Sequence, residues 1–173
     1  MINCFLNLHK IHDQNALLWQ ENHFRYWGDL PDRDTIESTC PQQSYWDAIQ
    51  QRIHALPYYD THKVRSNAVL AYSIKMSYDT RDRIYEDPWV AANLEWLHDS
   101  FDCAPDGVSN VLEVVCHYDP FPHLHALVVP VDQRGHLCAR SFTTGREAQT
   151  ELITAYCQVM WPLGLIVKRT DGI

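Results

Sequence analysis

The chain has 173 residues, 46% of them hydrophobic and 21% charged, with a formal net charge of −8. This is the profile of one packed domain spanning 1–173 and excludes a disordered, charge-dominated segment. The acidity opposes any partner gripped mainly through its phosphates, because that affinity depends on Lys and Arg, although Lys63 with Arg65, or Arg134 with Arg140 and Arg146, can still form a local basic groove.

Residues 2–9 alternate apolar and polar side chains and predict a strand, with no basic opening, cleavage site or apolar run long enough to span a membrane. A cytoplasmic protein with no membrane partner is therefore expected. Residues 14–26 read as helix. Residues 28–44, rich in Asp, Pro, Ser and Thr, read as a loop, and the acidic run Asp29, Asp32 and Asp34 suits no packed element. A helix over 43–54, capped near Ser44, follows from the spacing of Trp46, Ile49 and Ile53.

Residues 67–75 have the β-branched and aromatic content of a strand, and 88–99 return to a helical period with Pro88 in the first turn. Residues 110–118 and 123–131 are strand-like and are joined by a tight Asp119, Pro120, Phe121, Pro122 corner, so they are expected to pair antiparallel. A turn at Gly135, a polar stretch through Thr144 and a helix over 146–161, stopped by Pro162 and Gly164, complete the chain. The six cysteines form no CxxC pair and are expected as buried free thiols.

His123 and His125 stand two apart on a predicted strand, so both side chains project from one face and can reach one ion. His117, at the end of the neighbouring strand, can supply a third ligand across the pair. Three protein ligands leave coordination positions open for water or substrate, the pattern of a catalytic centre rather than a closed structural one. The same spacing also suits surface histidines on an edge strand or core histidines satisfied by hydrogen bonds.

The run His117, Tyr118, Asp119, Pro120, Phe121, Pro122, His123, Leu124, His125, followed by Val128, Val129, Pro130 and Val131, resembles the signature of the MobV (Mob/Pre) plasmid relaxases. Its His-Leu-His core is similar to the histidine–hydrophobe–histidine element of the wider HUH endonuclease superfamily. Gly135, Leu137, Arg140, Arg146 and Gly164 downstream, and Lys10, Asn15, Arg25, Asp32 and Asp34 upstream, extend the resemblance to about half the chain.

The resemblance implies an α/β (α+β) domain whose central antiparallel sheet carries the histidines between flanking helices. It implies metal-dependent nicking and joining of one DNA strand at a plasmid transfer origin, through a covalent link to the 5′ phosphate. The implied cofactor is one divalent cation, Mn²⁺ or Mg²⁺, while ligand preferences also admit Zn²⁺. The implied partner is single-stranded or cruciform DNA, with homodimerisation assigned to segments beyond this chain.

The family's nucleophile is a histidine shortly before an arginine. Aligned without gaps, that position falls on Asn22, which cannot form the intermediate, so His23 and Tyr26 are the candidates. Asp119 stands where the family has Asp-Glu and inherits ligand orientation or proton handling. Arg25, Arg140 and Arg146 are expected phosphate contacts, and Tyr26, Trp27, Tyr58 and Tyr59 candidate base-stacking rings. Two other functions fit the same residues: a non-catalytic DNA- or protein-binding module, and a metal-dependent hydrolase of a small phosphoester.

Overall fold

The computed structural model describes residues 2–26, 33–80, 86–118, 121–143 and 145–169, without the side chains of residues 25, 26, 33, 86 and 169. Six strands form one sheet: β1 (Ile2–Ile11), β2 (Arg33–Ser38), β3 (Ala71–Tyr78), β4 (Val111–His117), β5 (His123–Val128) and β6 (Leu165–Arg169), in the order β2-β4-β5-β3-β1-β6. Every neighbouring pair is antiparallel except β1 with β6, which run parallel. Helices α1 (Gln14–Glu21), α2 (Tyr45–His54), α3 (Glu86–Phe101), α4 (Arg140–Thr143) and α5 (Arg146–Met160) flank it.

The alternation of strand side chains divides the core in two. Cys4, Leu6, Tyr72, Ile74, Val114, Cys116, Leu124 and Ala126 point to one face, where Trp89, Trp96 and Phe101 of α3, Phe142 of α4 and Tyr156 of α5 cover them. Ile11, Ala71, Leu112 and Leu127 point to the other, beneath Leu17 of α1 and Tyr45, Ile49 and Ile53 of α2. The Ser44 side chain accepts from the Asp47 N–H and so caps α2.

Several expectations are corrected. The segment read as a loop over 28–44 contains β2, which pairs with β4 at the sheet edge. Its sequence has one apolar residue, Ile36, so the strand is held by backbone pairing and not by a hydrophobic pattern. β6 and the short α4 were also not expected; β6 is a five-residue strand directly after the Pro162 and Gly164 stop, and α4 is a single turn. β3 begins at Ala71, later than the period predicts. Asp29 and Asp32 lie outside the described residues.

The cysteines are free, but only Cys4, Cys40 and Cys116 are buried, while Cys157 is exposed. Burial pushes the Cys4 thiol up to about 12, which makes it inert.

His98 of α3 ties the edge strand to the helix. Its Nδ1 lies 2.6 Å from Asp102 Oδ2 and its Nε2 2.9 Å from Glu37 Oε2. Burial opposes protonation of the ring, but the hydrogen bonds and charges of Asp102 and Glu37 prevail and raise its pKa above 6.5. A group whose folded pKa is raised contributes stability that is complete below its unfolded value and is lost as pH rises through the folded one. The difference in Tm between the wild type and His98→Gln is thus expected to be largest in acid solution and to shrink above neutrality, as measured by calorimetry across pH.

Candidate metal centre

β4 and β5 bring the three histidines of the motif onto the face that α1 and α2 partly cover. His123 lies opposite His117, and His125 lies opposite Val115 on one side and Lys75 of β3 on the other. The ring centroids form a nearly equilateral triangle: 5.1 Å from His117 to His123, 5.1 Å from His117 to His125 and 4.9 Å from His123 to His125. His123 and His125 are buried and His117 is half-buried.

His123 Nδ1 donates to the Phe121 carbonyl oxygen at 2.8 Å, which makes Nε2 the nitrogen that carries the lone pair. A backbone carbonyl behind a ligating imidazole sets both tautomer and ring orientation. Cys116, the neighbour of His117, is buried in the core of the opposite face and takes no part.

A fourth histidine arrives from the N-terminal segment. Helix α1 is capped by Asp13, whose side chain accepts from the Ala16 N–H at 2.9 Å, and it gives way after Glu21 to a π-helical turn over Asn22–Tyr26. Such a turn closes i→i+5 hydrogen bonds in place of i→i+4 and shifts the helical phase. Asn22 is exposed, whereas His23 is half-buried with its Nε2 3.1 Å from His125 Nε2. The turn is pinned from three sides. Glu21 Oε1 accepts from the Tyr45 N–H, Gln20 Oε1 accepts from the Ser73 hydroxyl, and the Phe24 ring lies 4.5 Å from the His125 ring.

The four imidazoles each offer a nitrogen within 4.8 Å of the others. Burial is the chief reason the pKa of His125 is strongly lowered, with His123, His23, His117 and Lys75 adding repulsion. His23 is lowered by burial first, then by His117 and Lys75. Neutral rings present lone pairs instead of protons, the state a cation requires. His125 Nδ1 is buried with no hydrogen-bond partner among the described residues. A cluster of neutral nitrogen donors fits a borderline transition ion better than Mg²⁺, which prefers oxygen ligands.

Beside the cluster lies a groove of about 710 Å³ lined by Trp19, Gln20, His23, Ser73, Lys75 and His125, among others. Trp19 is 60% exposed and stacks on His23 with ring centroids 5.6 Å apart and planes 1° from parallel. Sequence reasoning missed Trp19 and Lys75. The signal for Lys75 is that it is the one charged residue of β3.

Other candidate residues are placed elsewhere. Asp119 and Trp27 lie outside the described residues, as do the side chains of Tyr26 and Arg25, whose backbones belong to the π-helical turn. Arg140 and Arg146 are exposed at the starts of α4 and α5, in the layer over the opposite face of the sheet, so the structure does not bring them to the histidines. Tyr58 and Tyr59 pack instead with His62, His136 and the Leu137 N–H.

The chain matches the family model Mob_Pre, described as plasmid recombination enzyme, over residues 35–172. Among solved structures it is similar to the MobM relaxase domain (MOBV; Mob_Pre) bound to 22 nucleotides of plasmid pMV158 oriT DNA, in the Mn-bound form at pH 5.5. The TM-score is 0.76 at 16% identity, covering 98% of this chain and 91% of that one. The same domain bound to 26 nucleotides of oriT DNA gives 0.75 at 17% identity, again over 98% and 91%. Its Mn-bound complex with a 3′-thiophosphate strand at pH 6.8 gives 0.75 at 16%, over 98% and 90%. No curated protein matches the chain in sequence.

Proposed function

Because this chain belongs to the plasmid recombination enzyme family, Mob_Pre, we propose that it is a relaxase domain that cuts and rejoins one DNA strand at a plasmid transfer origin. The observation that carries the proposal is the arrival of His23 beside His117, His123 and His125, a potential nucleophile set against a cation site. In this reading residues 1–173 form one catalytic domain acting in the cytoplasm on single-stranded or cruciform DNA. Among the described residues no helix is long and apolar enough to cross a membrane.

His117, His123 and His125 would hold the cation, with His123 fixed in its tautomer by the Phe121 carbonyl. A bound divalent cation supplies Lewis-acid stabilisation of the charge on the phosphate oxygens. Mn²⁺ is assigned by likeness to the Mn-bound MobM relaxase domain, and the neutral nitrogen donors equally admit Zn²⁺.

His23 is the nucleophile. Its neutral ring keeps a lone pair for phosphorus, and stacking on Trp19 holds its plane. A nitrogen–phosphorus bond forms as the bond from phosphorus to the 3′ oxygen breaks, and that oxygen leaves with a proton. Attack by a 3′ hydroxyl reverses the step and rejoins the strand. Asp119 is assigned the proton, Tyr26 is the alternative nucleophile, and Arg25, two residues beyond His23, contacts a phosphate. Arg140 and Arg146 would meet only DNA that extends past the sheet to its other layer.

The test is incubation of the wild type with labelled origin strands and Mn²⁺. The expected result is a denaturant-resistant protein–DNA adduct that is prevented by chelation. Strand binding without an adduct would identify a non-catalytic binding module, and turnover of a small phosphoester without an adduct would identify a phosphoesterase.

A further inference from the structure

Lys75 has no role in the chemistry described above, yet it sits at the centre of the surface around the histidines. It projects from β3 on the same face as His125, directly opposite it in the strand pairing. Two cavities open beside it: the groove of about 710 Å³ reaching Trp19, His23 and His125, and a second of about 240 Å³ walled by Phe5, Ser77, Asp79, Phe121 and His123. Among the described residues, Lys75 is the one that lines both.

Each cavity also has an exposed aromatic side chain, Trp19 at 60% and Phe121 at 40%. Lys75 makes no hydrogen bond or ion pair among the described residues, and Asp79, the carboxylate in the second cavity, is engaged by Asn3. An exposed ammonium with no counter-charge among the described residues is available to an anionic ligand.

We propose that Lys75 binds the phosphate linking two unpaired nucleotides, one lodged against Trp19 and the other against Phe121, so that the strand crosses the histidine cluster at this point. The inference rests on the relaxase reading for the identity of the ligand. It adds the path of the strand and the cation that holds it. Bases stack on exposed rings irrespective of sequence, and an ammonium shared by two cavities that each hold such a ring can meet the phosphate between two bases.

The test is the salt dependence of binding of a labelled oligothymidylate, measured by anisotropy in chelator so that neither metal nor chemistry contributes. Each phosphate contact to a single strand adds about 0.7 to the slope of log K against log salt. Lys75→Gln is expected to lower the slope by about 0.7, and Lys75→Arg to keep it. Trp19→Ala and Phe121→Ala are each expected to weaken binding by about 5- to 150-fold at unchanged slope.

An unchanged slope in Lys75→Gln overturns the inference. A lowered slope in a protein that forms no adduct with Mn²⁺ upholds it while removing the nicking reading. A wild type that binds no strand overturns both.

Discussion

Replacing His23 with alanine is expected to abolish the covalent protein–DNA adduct while leaving cation binding intact. Deleting the nucleophile of a covalent mechanism costs on the order of 10⁶-fold in rate, far below what a gel assay detects. Asn22→Ala is the matched control. Asn22 is adjacent in sequence but exposed, so its loss should leave the adduct yield unchanged.

Cation binding separates two roles for His23, because its nitrogen lies within 4.8 Å of the other three donors. If His117, His123 and His125 suffice, His23→Ala still takes up about one equivalent of Mn²⁺ in metal analysis, as an open three-ligand site does. If uptake is lost as well, the four imidazoles form a closed site, and the nucleophile assignment fails. Tyr26→Phe completes the set, since adduct formation lost there but kept in His23→Ala would move the nucleophile to Tyr26.

The second large effect is expected at His125. Saturating Mn²⁺ at about 100 times its Kd should stabilise the wild type by about 2.7 kcal/mol, which raises the Tm of a domain this size by roughly 5–10 °C. His125→Ala should lose that shift entirely, and His123→Ala should do the same, because each removes a buried ligand nitrogen. The comparison is between each protein with and without Mn²⁺, so the packing that His125 shares with Phe24 cancels. A full thermal shift in either variant would remove these residues from the centre.

Much of this centre follows from short-range rules. His123 and His125 share a face because strands have a period of two, and β4 and β5 pair antiparallel, as two strand-like runs close in sequence are expected to, so that His117 stands directly opposite His123. Ser44 announces α2 and Pro88 falls in the first turn of α3, each through local backbone chemistry. β2, an edge strand with one apolar residue, was not legible, since an edge strand needs only a neighbour's free N–H and C=O groups.

His23 shows where local rules end. A gap-free alignment with the family places Asn22 at the reactive position, and on a regular helix its neighbour His23 would point about 100° away. The π-helical turn changes the phase, and contacts distant in sequence hold it there: Glu21 on the Tyr45 N–H, Gln20 on Ser73, and Phe24 against His125. The same holds for Lys75, whose position depends on the register between β3 and β5, strands separated by a helix and another strand. Arg140 and Arg146 fell to the opposite layer because α4 and α5 pack on the α3 face of the sheet.

By itself, then, the sequence determined the three motif histidines, their common face and the family they indicate, because strand period and turn chemistry act over a few residues. Only the tertiary structure decided which N-terminal residue meets them and which cation stands beside them. Those two outcomes depend on helix phase and strand register, which are set by packing between segments far apart in the chain.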